Sequence, residues 1–313
     1  MSGFIFALIF VQIVSAQLEE SVQVDLVETY VSVLDKKGNP ITDLNATDFE
    51  IKEDGIKQPI AYFTRILDEE SQIPLTLGFL LDTSGSMGKG DKIQRIDIAR
   101  QFANFLIKEL KPADQMRVYG FDNIYRALTP MTSDLGSIQQ SLADVKIDTV
   151  GSPGTALLTS IDLTIEQLES HFGRKIIVVC SDGQNTIPGP APETLIEKLK
   201  KQDITVISLA TITNREWKAV DTGVNVRYER PKEDKEAQKL MKELAEETGG
   251  ASFFLENVSH LTETMEKIRS MIRSQYAIAY KPPNEMNKGW RKIEVKCKRD
   301  SVKLNYRKGY YFE

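Results

Sequence analysis

Three separate stretches of this 313-residue chain carry side-chain oxygens in a spacing that suits a hard metal ion. A carboxylate and two alternating hydroxyls follow one apolar run, a threonine follows a turn rich in glycine and proline, and a second aspartate follows another apolar run. In chain order these residues are Asp82, Ser84, Ser86, Thr155 and Asp182. Carboxylates and hydroxyls offer only oxygen, which suits Mg²⁺, Mn²⁺ or Ca²⁺ and suits zinc or copper poorly. The pattern therefore predicts a site for a divalent ion.

The segments that lead into the two aspartates have the composition of buried strands. Residues 75–81 and 175–180 are mostly apolar, as in the middle of a parallel sheet with both faces covered. Open α/β sheets bind ligands at the carboxyl ends of their strands, and Asp82 and Asp182 come at or just after such ends. Helical patterns alternate with these runs. The sequence thus predicts a doubly wound, mostly parallel α/β sheet whose edge carries all three stretches.

The same residues carry a family resemblance. Asp-x-Ser-x-Ser at 82–86, Gly-Thr-Ala at 154–156 and Ser-Asp-Gly at 181–183 resemble the motifs of the von Willebrand factor A (vWA) domain and its metal-ion-dependent adhesion site (MIDAS). The chain more closely resembles exported bacterial vWA-related proteins, in which short β-rich segments flank the domain. One position departs from the family: Thr159 stands where an aspartate is often found, although that position is not one of the usual metal ligands.

The resemblance implies a division of roles among the oxygen-bearing residues. Ser84 and Ser86 would bind the ion directly, and Thr155 would bind it directly or through water. Asp82 and Asp182 would act through water or as hydrogen-bond acceptors around the ion. Neutral hydroxyls leave the charge of the ion uncancelled, and Mg²⁺ keeps exchangeable water positions. The expected cofactor is Mg²⁺, or else Mn²⁺ or Ca²⁺, and the expected partner is a protein that presents an Asp or Glu carboxylate.

Several functions are compatible with these motifs. The first is an exported, non-enzymatic binding module that recognises a protein through a metal bridged to a partner carboxylate. The second is a metal-dependent hydrolase in which Asp82 and Asp182 hold an ion that activates water, although no general base is evident. The third is a structural subunit whose ion only stiffens the loops. A site without metal, whose serines merely cap a helix, is the plainest alternative.

Composition argues against other functions. A net charge of -5 does not favour a general nucleic-acid binder. The glycine-rich segment 85–91 has an acid where a phosphate-binding loop needs Lys-Ser/Thr, so no nucleotide is expected. Cys180 and Cys297 are the only cysteines, and we expect free thiols. The two histidines, His171 and His260, fit neither a zinc spacing nor a nucleophile motif.

The first residues indicate export. Residues 4–16 are apolar and end in Val-Ser-Ala before an acidic stretch, as in a signal peptide cleaved ahead of Gln17. The run is short for a membrane span, and no Lys or Arg precedes it. We therefore expect a periplasmic, cell-surface or secreted protein that meets a membrane only through this segment. The alternative is a buried strand or helix of the folded domain.

The terminal segments alternate and turn like strands and hairpins, and neither is long enough to build its own core. We predict that they pair into one small β-sandwich-like module, two separate appendages being the alternative. Strands are expected near the end of the chain at 275–280, 291–298 and 302–311. Residues 213–234 show no clear period, and Trp217 within them is either a specificity element or part of a hairpin. The expected parts are a signal peptide at 1–16, an N-terminal β segment at 20–70, the vWA domain at 73–275 and a C-terminal β segment at 276–313.

Overall fold

Apolar runs and amphipathic stretches alternate along the middle of the chain, and each forms a strand or a helix. The computed structural model describes residues 26–66, 73–88, 94–147, 154–211, 218–221, 226–229, 232–255, 258–273, 275–283 and 288–312. The strands within these residues are β1 (Val27–Leu34), β2 (Phe49–Glu53), β3 (Ile56–Gln58), β4 (Ile60–Arg65), β5 (Leu75–Asp82), β6 (Gln115–Phe121), β7 (Tyr125–Ala127), β8 (Arg174–Ser181), β9 (Ile204–Thr211), β10 (Lys218–Asp221), β11 (Val226–Glu229), β12 (Ala251–Leu255), β13 (Gln275–Tyr280), β14 (Gly289–Cys297), β15 (Lys303–Asn305) and β16 (Gly309–Phe312). The α-helices are α1 (Arg95–Lys108), α2 (Leu135–Asp144), α3 (Leu157–Leu168), α4 (Pro192–Lys201), α5 (Lys232–Glu247) and α6 (Leu261–Arg273).

The central sheet has six strands in the order β12-β9-β8-β5-β6-β7. All neighbours run parallel except β7, which pairs antiparallel to β6 at the edge. Every residue of β5 is buried, because α1, α2 and α6 pack on one face of the sheet and α3, α4 and α5 on the other. Burial on both faces explains why β5 and β8 are nearly continuous apolar runs. The predicted doubly wound, mostly parallel sheet is confirmed.

The two terminal segments share their sheets. One sheet has the order β15-β1-β13-β4 and the other has the order β16-β14-β2-β3, so each combines strands from both ends of the chain. A single cluster of buried side chains, which includes Val31, Ile51, Tyr276 and Ile293, is formed by strands of both sheets. The predicted pairing of the terminal β segments is therefore confirmed, and separate appendages are not what forms.

The structure divides the last predicted strand in two. Instead of one strand over 302–311, β15 pairs with β1 while β16 pairs with β14 in the other sheet. The break passes close to the end of α5, where a Cβ on Gly249 would stand 2.4 Å from the carbonyl carbon of Tyr306. Gly249 also has a φ of +81°, which glycine adopts without strain. The chain thus passes from one sheet to the other at the point where Tyr306 packs against Gly249, which has no side chain.

The remaining sequence predictions concern residues 213–234, the signal peptide and the two cysteines. The segment that shows no period contains an antiparallel hairpin of β10 and β11, whereas Trp217 and the predicted signal peptide lie outside the described residues. Both cysteines are free, and Cys180 is buried within β8. Across the described ranges, no helix is both long enough and apolar enough to span a membrane.

Candidate metal centre

The five oxygen-bearing residues lie on loops at the carboxyl edge of the central sheet. Asp82 is the last residue of β5, Asp182 directly follows β8, and Thr155 precedes α3. Since β5 and β8 are parallel neighbours, with Leu81 opposite Cys180, their ends come side by side. The register of the sheet therefore places the two aspartate-bearing loops next to each other.

The Asp82 carboxylate is completely buried and shapes the loop that follows it. Its Oδ1 accepts a hydrogen bond from the backbone N–H of Ser84 (2.9 Å), and its Oδ2 accepts one from the Ser181 hydroxyl (2.6 Å). An aspartate that accepts from the backbone two residues on forms a tight local turn. That turn brings the Ser84 and Ser86 hydroxyl oxygens to 3.0 Å from each other. Asp82 thus orients both serines while Ser181 ties it to β8.

Hydrogen bonds join the Thr155 loop to both aspartate-bearing loops. Thr155 N–H donates to the Thr186 hydroxyl (2.8 Å), and Thr186 N–H donates back to the Thr155 carbonyl (2.9 Å), which links it to the Asp182 loop. The Ala156 N–H donates to the Asp122 carbonyl (2.7 Å). The Thr83 hydroxyl lies within hydrogen-bond distance of both the Phe121 carbonyl oxygen (3.1 Å) and an Asp122 carboxylate oxygen (3.2 Å). The loops are therefore held as one assembly, although they are far apart in sequence.

A buried arginine faces the second aspartate. Arg95 Nη1 lies 3.0 Å from Asp182 Oδ2, and the two side chains are only 2% and 4% exposed. Arg95 opens α1 and also approaches the Ser86 carbonyl oxygen at 3.5 Å. An ion pair this deeply buried is barely screened by water, so losing either partner would leave an uncompensated charge. Arg95 therefore fixes the Asp182 loop against α1.

The surroundings of Asp82 favour its protonated form in the metal-free protein. Burial, together with the negative charge of Asp182, raises the pKa of Asp82 from 3.8 to about 7, while hydrogen bonds from Ser181 and Ser84 oppose the shift. A divalent cation at this edge would reverse the effect, since a nearby positive charge favours the carboxylate. Proton and metal binding are thus expected to compete at the site.

This pKa predicts how the stability of the metal-free protein depends on pH. Between about pH 4 and pH 7 the folded state holds a proton on Asp82 that the unfolded chain has released. The free energy of unfolding should therefore fall as the pH rises through this window, by at most about 4 kcal/mol, and level off above it. Urea unfolding in EDTA across the window measures the slope. The isosteric variant Asp82→Asn, which cannot titrate, should lose this component, and an unchanged slope would contradict the assignment.

Sequence reasoning gave no role to Arg95 or Asp122, and it included Ser181 only as a member of the Ser-Asp-Gly motif at 181–183. For Arg95 a signal was available, because it lies on the same helical face as the buried residues Ala99 and Phe102. Asp122 gave none, since it acts through contacts with residues distant in sequence, and the hydrogen bond from Ser181 to Asp82 likewise joins distant residues. Each of the three anchors a loop that carries predicted site residues.

Thr159, the residue that departs from the family pattern, packs against the loop that contains Gly189. A Cβ on Gly189 would stand 2.9 Å from the Thr159 hydroxyl oxygen, so the Gly189 loop packs directly on it. At the start of the same helix, the Leu158 N–H donates to the Asn185 side-chain oxygen (3.1 Å), and Asn185 Nδ2 donates to the Ile187 carbonyl (2.9 Å). The loop after Asp182 thus braces the start of α3 without an aspartate at position 159.

The donor set fits a small hard cation. Adjacent ligands of an octahedral Mg²⁺, each about 2.0–2.1 Å from the ion, stand about 3 Å apart. The Ser84 and Ser86 hydroxyl oxygens, which share a hydrogen bond in this structure, are 3.0 Å apart and so have this separation. Within the described part of the chain, no three His, Cys, Asp or Glu side chains are grouped closely enough to hold an ion. The oxygen donors of the five residues are thus three hydroxyls and two carboxylates.

Comparisons with known proteins concern the domain that carries these loops. Residues 77–184, which include all five oxygen-bearing residues, match the sequence profile of the von Willebrand factor type A domain. Among solved structures, BatB from Bacteroides thetaiotaomicron is similar, with 22% identity, coverage of 64% of this chain and 100% of that chain, and a TM-score of 0.50. An aerotolerance-related membrane protein from Bacteroides fragilis NCTC 9343 shows 20% identity, coverage of 64% and 98%, and a TM-score of 0.48.

A third similar structure is proximal thread matrix protein 1 from the mussel byssus with a zinc-occupied MIDAS motif. It shows 12% identity, covers 64% of this chain and 48% of that chain, and has a TM-score of 0.47. No curated protein sequence matches the chain. At such identities, likeness to solved structures concerns the fold alone. The sequence match and the sheet topology together support a domain of the von Willebrand factor A type in this chain.

Proposed function

We propose that this chain is an exported, non-enzymatic binding module that recognises a protein partner through a divalent ion bridged to a partner Asp or Glu carboxylate. The observation that carries the proposal is the pair of serine hydroxyls 3.0 Å apart beside the buried Asp82. Ser84, Ser86 and Thr155 would hold Mg²⁺, or else Mn²⁺ or Ca²⁺. When bound, the ion supplies a positive centre with an exchangeable position for a carboxylate oxygen.

The surface around the site supports contact with a protein. Ile124, in the turn between β6 and β7, is 58% exposed at the same edge of the sheet. On the other side, a cavity of about 420 Å³ opens beside the Asp182 loop and is lined by Gly183, Asn185 and Leu240, among others. An apolar rim residue and a cavity of this size offer places for side chains that flank a bridging carboxylate. A partner could therefore make contacts beyond the ion.

The residues at the site give less support to a hydrolase. Activation of a metal-bound water needs a base that is free to take a proton. Asp182 is paired with Arg95, and Asp82 accepts hydrogen bonds from Ser84 and Ser181. In the described residues, neither histidine hydrogen-bonds to these groups. Magnesium-dependent turnover of p-nitrophenyl phosphate or acetate that disappears in Asp182→Ala would favour the hydrolase instead.

Selection from a random peptide library tests the proposal, because such a library samples many candidate partner sequences at once. Peptides displayed on phage are bound to the protein in Mg²⁺ and eluted with EDTA. We expect enrichment of sequences that share an Asp or Glu at one position, because a negatively charged carboxylate oxygen can take the place of a water on the ion. Ser84→Ala should lose these peptides and keep its fold by circular dichroism, whereas the exposed control Ser133→Ala should retain them.

Two outcomes of the selection would contradict the proposal. Peptides that resist EDTA, or that bind Ser84→Ala as well as the wild type, would show recognition elsewhere on the molecule. The absence of any EDTA-sensitive binder, with Mg²⁺ still bound to the protein, would favour an ion that only stiffens the loops.

Export is proposed from the apolar residues 4–16 and the acidic stretch after them. Expression of the full chain in a bacterium followed by N-terminal sequencing of the exported fraction should give Gln17 as the first residue. Recovery of the protein only in the cytoplasm, with its first residues intact, would contradict this part of the proposal.

A further inference from the structure

A cleft of about 480 Å³ opens between two edge strands on a different part of the molecule. One wall is β12, the edge of the central sheet, and the other is β15, the edge of a four-stranded sheet. The cleft reaches the first half of β12, Ala251 to Phe253, and so lies away from the carboxyl edge that carries the candidate metal centre. We call it the lysine cleft, after the lining residues Lys36, Lys37, Lys267 and Lys303.

The charge of the lysine cleft is only partly compensated. Lys267 pairs with Glu263 at 2.6 Å, but Lys36, Lys37 and Lys303 have no carboxylate oxygen within 4 Å anywhere in the described ranges. Among the described residues that line the cleft, Asp35 is the one acid, and it keeps its negative charge and so offsets one of these lysines. Its carboxylate accepts backbone hydrogen bonds from the N–H groups of residues 37 and 39, each at 2.8 Å. The cleft therefore favours a negatively charged occupant.

The lining between the lysines is apolar. Leu34, Phe253, Met271 and Val302 contribute to it, with Phe253 and Val302 partly exposed. A sulfated or phosphorylated polysaccharide would use the lysines and leave this apolar surface unused. An extended peptide that alternates acidic and apolar side chains would use both, and strands at sheet edges are common sites for extended peptides.

We propose that the lysine cleft binds an extended acidic segment of another protein. Apolar side chains of the segment lie on Phe253 and Val302, and its carboxylates face Lys36, Lys37 and Lys303. The binding needs no metal, which separates it from the function proposed for the carboxyl edge of the sheet.

Fluorescence anisotropy with a labelled, N-acetylated peptide of alternating glutamate and valine tests this inference. All titrations contain EDTA, so that a metal-bridged carboxylate cannot contribute, and Ser84→Ala should bind like the wild type. We expect saturable binding that weakens as salt is added. The double variant Lys36→Glu/Lys303→Glu should weaken it at least about tenfold, whereas the matched control Lys146→Glu/Lys281→Glu, which reverses two exposed lysines elsewhere, should change it little.

Three results would overturn the inference. One is equal binding by the Lys36→Glu/Lys303→Glu variant and the control. Another is equal binding of a peptide with glutamine in place of glutamate. The third is binding of a sulfated heparin fragment, but not of the acidic peptide, in a manner that depends on Lys303, because it would identify the cleft as a site for anionic polysaccharide.

Discussion

Replacing Arg95 with methionine is expected to lower the free energy of unfolding by about 3–5 kcal/mol, the range observed when one partner of a buried ion pair is removed. Methionine keeps much of the length and apolar contact of the arginine stem but supplies no charge. Asp182, whose side chain is 4% exposed, would then stand unpaired in the same buried edge as Asp82. Denaturant unfolding at neutral pH in EDTA, extrapolated to water, measures the change.

The matched control is Arg269→Met on α6. Arg269 pairs with Glu266 at 3.1 Å, but the two side chains are 45% and 48% exposed, so their loss should cost less than about 1 kcal/mol. The double variant Arg95→Met/Asp182→Leu should recover part of the stability, because replacing both partners removes the uncompensated charge. Similar losses for Arg95→Met and Arg269→Met would contradict the role given to the buried pair.

The second large effect concerns the response of the protein to metal. Wild-type protein should gain about 2.7 kcal/mol when the free Mg²⁺ concentration is a hundred times the dissociation constant, because an ion that binds only the folded state stabilises it by mass action. Replacing Ser84 and Ser86 together with alanine removes the two hydroxyls that stand 3.0 Å apart. We expect the variant to lose at least about 100-fold in affinity and to show almost no shift of its thermal midpoint with Mg²⁺.

The exposed Ser133→Ala serves as the control for this comparison, and it should respond to Mg²⁺ like the wild type. The double serine variant should keep its fold without metal, since the Ser84 backbone N–H, which the substitution retains, still donates to the Asp82 carboxylate. A midpoint that rises with Mg²⁺ as much in the variant as in the wild type would place the ion elsewhere.

The central sheet was predictable from sequence for a physical reason. A strand covered on both faces needs apolar side chains at nearly every position, and β5, with all eight residues buried, has such a run. The aspartates at the ends of these runs, together with the Ser-x-Ser and Gly-Thr-Ala patterns, were sufficient to locate all three loops. The three loops then lie at one edge because parallel strands have their carboxyl ends on the same side of the sheet.

Contacts between side chains that are far apart in the sequence were not predictable. Arg95 and Asp182 are 87 positions apart, and the sequence around either residue does not indicate that the two form an ion pair. The same holds for Ser181, which reaches Asp82 only because β5 and β8 are neighbours. The division of 302–311 into β15 and β16 likewise depends on the packing of Tyr306 against Gly249. A local pattern predicts the element, whereas the fold decides which charges and hydroxyls meet.

The most direct test of the central claim, that the serine hydroxyls beside Asp82 bind a divalent ion, is titration of residues 17–313 with Mg²⁺ and Mn²⁺ by calorimetry, with Asp82→Ala as the companion variant. We predict one saturable site in the wild type and none in the variant, because without the Asp82 carboxylate the loop loses the turn that orients Ser84 and Ser86. The absence of saturable binding to well-folded wild-type protein, or equal binding to the variant, would contradict the claim.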